Sequence, residues 1–361
     1  MGHINLNTQR KGFTVDILNT YLKSKKHFLI ITGILIVCIA LIVVVFSDKK
    51  NKTFSKTAFY FDTVITITIY NGNEELLDNC FKMCEKYENL FSNTIEDSDI
   101  SKINSNSEKG IATTVSDETL ELINYGLKYC KMSDGAFDIT VGRLSSIWNF
   151  TDNTDGILPP SHDIKNAVSD IGYEQILIDG NDVLITNPNT SIDVGGIAKG
   201  YIADKLKEYL LKNGVKNGII NLGGNVLLIG SKPDKSNYNI GVQRPFGNDG
   251  DIIVIINDKD ISIVTSGIYE RYFYNDDTIY HHILDTKTGY PIENNLYSVT
   301  IISDKSVDGD ALSTCAFASG FEAGMKLIEG IENAEAIFID NNEHITVTSG
   351  LIIDGNIIKR R

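Results

Sequence analysis

Residues 191–204 read S-I-D-V-G-G-I-A-K-G-Y-I-A-D. Apolar residues lead into Gly195-Gly196 and then recur at helical spacing, so the stretch predicts a short strand turning directly into an amphipathic helix. Such a junction can hold a phosphate. Gly195 and Gly196 let the backbone approach a ligand, the first free N–H groups of the helix point at it, and Lys199 adds a point charge. The same residues also suit a plain tight turn, so the rest of the chain has to decide between the two.

Upstream, residues 63–70 (T-V-I-T-I-T-I-Y) alternate polar and β-branched side chains, the pattern of a half-buried strand. Residues 73–91 carry Leu76, Leu77, Phe81, Cys84 and Tyr87 at helical spacing. Ser116 or Asp117 can cap a second helix that ends near Met132. Further on, short strands at 175–178, 183–186, 218–221, 251–256, 262–264 and 298–302 alternate with glycine-rich turns and a few helices. Strands at 336–339, 344–348 and 351–353 follow, and the mixture predicts one α+β domain.

The 361 residues carry a net charge of -14, and this excludes a broad basic face for nucleic acid. Residues 28–46 run apolar without a charge, long enough for one membrane-spanning helix, with Cys38 inside it. The expected organisation is a cytoplasmic segment (1–27), the span (28–46), a lysine-rich linker (47–56) and a soluble domain (57–361). Lysines flank the span on both sides, and the favoured orientation puts the large domain outside the cytoplasm. Cys80, Cys84, Cys130 and Cys315 lack CxxC spacing and read as packing residues.

Four clusters are polar and glycine-rich beyond the needs of a scaffold. Residues 133–144 place Asp138 and Thr140 between Gly135 and Gly142, to bind a ligand or brace a loop. Residues 218–230 read as a hairpin turning at Gly223-Gly224. Thr265, Ser266 and Gly267 offer hydroxyls and an N–H at a strand end. Beyond them His281 and His282 alternate sides, so one faces a site, with a histidine three residues before Asp285 suited to acid/base work. Finally, if Asp310 opens a helix, Asp310 and Thr314 share a face one turn apart, hard oxygen donors that suit Mg²⁺.

In order along the chain, G-A-F-D-I-T-V-G (135–142), D-V-G-G-I-A-K-G-Y (193–201), N-L-G-G (221–224), T-S-G with Y-E-R (265–271), H-I-L-D with T-G-Y-P (282–291) and D-A-L-S-T (310–314) resemble the ApbE family of FAD:protein FMN transferases. The resemblance implies a single T-fold-like catalytic domain of mixed strands and helices. It also implies a reaction in which FAD is split and FMN is joined through a phosphoester to a threonine or serine of a partner, with AMP released. By the same resemblance Asp310, Thr314 and the Ala198 carbonyl would hold Mg²⁺, and His282 would take the proton of the incoming hydroxyl, with Asp285 beside it. Lys199 would sit near the phosphates. Thr63, Asp138, Thr140, Asp193, Gly195, Gly196, Thr265, Ser266 and Gly267 would line the flavin or adenine pocket.

Two motifs depart from the family pattern. Its Met-Gly-Thr reads Phe61-Asp62-Thr63, and its His-x-x-Asp-Pro reads His282-Ile283-Leu284-Asp285-Thr286. The same residues could serve a metal-dependent FAD pyrophosphatase, or a membrane-tethered flavin-binding module without turnover. The anchor and the family together imply an acceptor flavoprotein of membrane-associated electron transport.

Overall fold

Threonine and isoleucine alternate through residues 63–70, and in the computed structural model, which describes residues 52–361 apart from 154 and 249, they form strand β2 (Thr63–Tyr70). Ile65, Ile67 and Ile69 are fully buried on one face of it. Each contributes about 1.5–3 kcal/mol by leaving water. β2 pairs antiparallel with β1 (Thr53–Tyr60) across Phe61 and Asp62, both at φ 55°, the left-handed backbone of a tight two-residue turn. Residues 53–56, expected in the linker, are therefore strand. Their polar side chains belong to an edge strand, where Ser55 and Thr57 meet the hydroxyls of Thr68 and Thr66 at 2.8 and 2.9 Å.

The main sheet has eight strands in the order β1-β2-β6-β7-β10-β13-β14-β15, all neighbours antiparallel. Its further members are β6 (Asn217–Leu222), β7 (Asn225–Ile229), β10 (Ser262–Gly267), β13 (Leu296–Ser303), β14 (Ala334–Asp340) and β15 (Ile345–Val347). A second sheet combines β16 (Leu351–Asp354), β17 (Ile357–Arg360), β9 (Ile252–Asp258) and β8 (Tyr238–Gln243). Two small sheets complete the set: β3 (Thr113–Thr114) with β5 (Asp182–Ile185) and β4 (Ile176–Asp179), and the ribbon β11 (Tyr272–Asn275) with β12 (Thr278–His281). The helices are α1 (Glu74–Phe91), α2 (Asp99–Ser107), α3 (Asp117–Met132), α4 (Gly142–Trp148), α5 (Ser161–Ser169), α6 (Gly195–Lys212), α7 (Ser306–Ser319) and α8 (Phe321–Glu329).

Alternation along the strands sorts these elements into layers. Val299, Ile301, Ala336 and Phe338 join Ile197, Tyr201, Leu206, Leu312 and Cys315 of the helices, whereas Ile302, Ile337 and Ile339 pack on Val242, Val254 and Ile256 of the second sheet. The main sheet thus lies between helices and a smaller sheet. Mixed strands and helices bear out the α+β expectation. Ser116 caps α3 as read from the sequence, Asn73 caps α1, and the glycine hairpin is present with Gly223 at φ 62° and Gly224 at φ 92°. Cys80, Cys84, Cys130 and Cys315 are buried free thiols.

The opening stretch differs from its reading in two ways. Residues 191–194 form no strand but a single bridge to Val141, because their backbone groups go elsewhere. Ile192 exchanges two hydrogen bonds with the Asn104 amide, at 2.7 and 3.0 Å, and Asp193 N–H reaches Ile139 O at 2.8 Å. Nor is α6 two-faced at its start: Ile197, Ala198, Gly200, Tyr201, Ile202 and Ala203 are all buried. The expected spanning helix, residues 28–46, lies outside the described residues. Among the described residues no helix is long and apolar enough to cross a membrane.

Candidate active site

The site is built where α6 crosses α7. Gly200 permits the approach: a Cβ there would stand 2.3 Å from Ser306 O and 2.8 Å from Val307 Cα, both backbone atoms that cannot yield. The contact brings the Gly200 N–H to Asp310 Oδ2 at 2.7 Å. Asp310 does not open its helix as expected; it lies inside α7, which starts at Ser306, so its carboxylate is buried rather than capping. Burial pushes its pKa up, against the pull of Lys199, the Gly200 N–H and Asn225. Among the described residues it forms no ion pair, leaving a buried carboxylate short of positive charge.

At the start of α6 the expected phosphate cradle is largely taken up by the protein itself. Gly195 N–H donates to Asp193 Oδ1 at 2.8 Å, and the N–H groups of Ile197 and Ala198 return to Val194 O at 3.0 and 2.9 Å. The Asp193 carboxylate therefore occupies the positive end of the helix and repels a second anion there. Gly196 remains tightly placed, since a Cβ would meet the Phe137 ring at 3.2 Å. Lys199 folds back towards Gly195 O at 3.4 Å.

β10 presents Ser266 to α7, with its hydroxyl 2.8 Å from Ser313 Oγ and 3.2 Å from Thr314 Oγ1. Thr314 and Ser266, widely separated in sequence, are thereby joined. Thr265 points to the opposite face of the strand, where it pairs with Thr300 at 2.8 Å, because neighbouring strand residues alternate. Gly267 is buried and leaves room for the Tyr269 ring, 2.7 Å from where a Cβ would stand.

The two histidines divide as their alternation implies. His281 is buried, with Nε2 donating to Ile292 O at 3.2 Å and Nδ1 accepting from Ile283 N–H at 3.3 Å. His282 is half-buried, and its Nδ1 donates to Arg271 O at 3.3 Å, which leaves Nε2 as the free acceptor. Burial, with the nearby His281, Arg271 and Lys199, pushes its pKa down to about 3. It is neutral at physiological pH, the form a general base needs. Asp285 does not orient it. Its carboxylate accepts from Lys287 N–H at 2.7 Å and closes a local turn, a short-range bond that outcompetes any longer reach.

The remaining pocket candidates lie apart or inside. Asp138 accepts from Thr140 N–H and Oγ1 at 2.8 and 2.7 Å and from Tyr173 N–H at 3.1 Å, while Thr140 Oγ1 accepts from Gly172 N–H at 2.9 Å. Both are buried and brace the loop after α3. Thr63 packs beside the hairpin turn, its Oγ1 2.3 Å from where a Gly223 Cβ would stand. Asp62, at the position of the family's glycine, adopts a positive φ that aspartate tolerates better than most residues.

Residues 61–338 match the family model described as the ApbE family. The chain belongs to the ApbE family. It is 33% identical over 303 residues to the FAD:protein FMN transferase of Klebsiella pneumoniae, covering 83% of this chain and 93% of that protein. It is 26% identical over 324 residues to the FAD:protein FMN transferase of Treponema pallidum, covering 84% and 89%. Among solved structures, the ApbE protein of Thermotoga maritima is similar with a TM-score of 0.76 at 32% identity over 82% of this chain and 97% of that one. The flavin transferase ApbE of Vibrio cholerae is similar with a TM-score of 0.74 at 25% identity over 83% and 98%.

For an ApbE-family chain, the donor set fits a hard divalent cation. Among the described residues no group of three or more His, Cys, Asp or Glu could hold a metal ion, so the oxygens would have to be mixed. The donors expected from the resemblance are of that mixed kind, a buried carboxylate (Asp310) and a hydroxyl (Thr314) one turn apart on α7 and a carbonyl (Ala198) on α6, and hard oxygens of this sort suit Mg²⁺.

Glu270, in the Y-E-R motif beyond β10, also bears on the site's charge. Its side chain is exposed, yet the protein around it removes enough water to hold its carboxyl above the usual carboxylate range, with Lys199 and Arg271 pulling down and Asp310 pushing up. Lys199 thus acts electrostatically on Glu270, His282 and Asp310 alike. The adjacent acid and base in Y-E-R were the available signal.

Proposed function

We propose that this chain is a Mg²⁺-dependent FAD:protein FMN transferase, which splits the FAD pyrophosphate, joins FMN to a threonine or serine of a partner flavoprotein and releases AMP. The observation that carries the reading is a buried carboxylate, Asp310, bonded to the Gly200 N–H at the crossing of α6 and α7, together with a neutral histidine, His282, whose Nε2 is free; the charge of Lys199 acts on both. When bound by Asp310, Thr314 and the Ala198 carbonyl, Mg²⁺ would offset the charge of the pyrophosphate.

His282 Nε2 takes the proton from the acceptor hydroxyl as its oxygen bonds to the FMN phosphorus. The bond from that phosphorus to the bridging oxygen breaks, and AMP departs with that oxygen. Lys199 stabilises the charge gathering on the phosphoryl oxygens, while Asp193 accepts from the Gly195 N–H and holds the turn that leads into α6. Attachment by residues 28–46, a catalytic unit outside the cytoplasm and an acceptor in membrane-associated electron transport complete the proposal; the apolar run and the family resemblance support them.

The test incubates the purified chain with FAD, Mg²⁺ and a candidate acceptor and looks for a fluorescent flavin band that survives denaturing electrophoresis. The band is expected, and chelation is expected to abolish it. Free FMN and AMP without a labelled protein would replace the transferase by a pyrophosphatase.

A further inference from the structure

Helix α7 starts without a cap of its own, since Lys305 precedes it and makes no side-chain capping bond. The cap comes from another helix. Asp204 of α6 accepts from Ser306 N–H through Oδ1 and from Val307 N–H through Oδ2, both at 2.9 Å. At the same point Ser306 Oγ donates to Asn225 Oδ1 at 2.7 Å and accepts from Ser262 Oγ at 3.0 Å, tying α7 to β7 and β10 as well. Asn225 is 1% exposed. Its Nδ2 is buried and has no hydrogen-bond partner among the described residues.

This arrangement is an expensive way to start a helix. Burial raises the Asp204 pKa to about 6, whereas a serine or asparagine at the Lys305 position would cap α7 locally with no charge to bury. A local cap, however, would leave α7 free to slide or rotate against α6. The remote cap fixes the register of the two helices one turn from Asp310, and Gly200, one turn before Asp204, sets their closest approach at the same two residues, Ser306 and Val307.

We propose that Asp204 and Asn225 are positioning residues for the metal site, locking α7 against α6 so that Asp310 and Thr314 are held beside the end of α6 that carries Ala198. The inference rests on the metal reading given under Proposed function. Both act through the first residues of α7, Asp204 on the N–H groups of Ser306 and Val307 and Asn225 on the Ser306 hydroxyl.

The probe is Mn²⁺, titrated into the full chain in the presence of FAD, with free Mn²⁺ followed by electron paramagnetic resonance. Far-UV circular dichroism and metal-free thermal unfolding run alongside. Asp204→Ala and Asn225→Ala are expected to bind Mn²⁺ about 10–100-fold more weakly with native dichroism, and Asp204→Asn, which keeps one acceptor, to fall between Asp204→Ala and the natural chain. Folded variants that bind Mn²⁺ as tightly as the natural chain would overturn the inference. Should Asp204→Ala fail to fold, Asn225→Ala decides alone. Undiminished binding in Asp310→Ala would instead overturn the metal reading beneath it.

Discussion

The backbone N–H of Gly200 and the carboxylate of Asp310 meet at 2.7 Å across two helices that only a residue without a Cβ allows to touch. Gly200→Ala should therefore push α6 and α7 apart. We expect a loss of about 1–3 kcal/mol from overpacking, read as a lower thermal midpoint, together with weaker metal binding. Unchanged metal affinity in a destabilised variant would uncouple the crossing from the site.

Asp310→Ala removes the single buried carboxylate of the proposed metal set. Electrostatic stabilisation by a bound ion is worth several kcal/mol, so transfer should fall by at least about 10²-fold. Asp310→Asn, which keeps the shape but not the charge, should fall nearly as far. An Asn variant close to full activity would show that the carboxylate serves packing alone.

His282→Ala should lower the transfer rate by about 10²–10⁴-fold while FAD still binds, as expected for loss of a general base. With its pKa pushed down to about 3, His282 should give kcat/KM no acid limb near pH 6.5. Asp285→Asn should stay within about threefold of the natural chain, because asparagine also closes the turn at Lys287. A large loss there would return Asp285 to the catalytic set.

His281 makes stability depend on pH. Burial pushes its pKa down to about 4, below the ordinary ~6.5, so the unfolded chain binds the proton first. The stabilising effect of keeping it neutral is complete above pH ~6.5 and is lost as pH falls towards 4. Asp204 runs the other way: its pKa is raised to about 6, and its burial weighs more heavily as pH rises from ~4 to 6. Comparing the natural chain with His281→Gln cancels Asp204. The stability gap measured in urea should narrow as pH falls from ~6.5 to 4, and a constant gap would mean that His281 does not titrate in the fold.

Local pattern was enough for some of this molecule. Alternation along residues 63–70 gave β2, helical spacing gave α1 and α3, and the period of a strand separated His281 from His282. What was not legible depends on partners distant in sequence. Asp310 looked like a helix opener because the true cap of α7, Asp204, lies 102 residues from Ser306. Residues 191–194 looked like a strand because nothing in their own pattern reveals that Asn104 takes the ladder's hydrogen bonds. Thr265 and Ser266 were grouped as one ligand-binding pair although the strand that carries them must turn them to opposite faces. Asp285 was carried over with the family's His-x-x-Asp motif, and its own sequence does not reveal that an aspartate before a glycine-containing turn reaches its nearest N–H groups first.

The most direct measurement is the balance of products when the full chain is mixed with FAD, Mg²⁺ and an acceptor protein. AMP released should equal FMN bound to the acceptor, mole for mole, and both should vanish with His282→Ala or Asp310→Ala. AMP matched instead by free FMN, with the acceptor unlabelled, would contradict transfer to a protein hydroxyl.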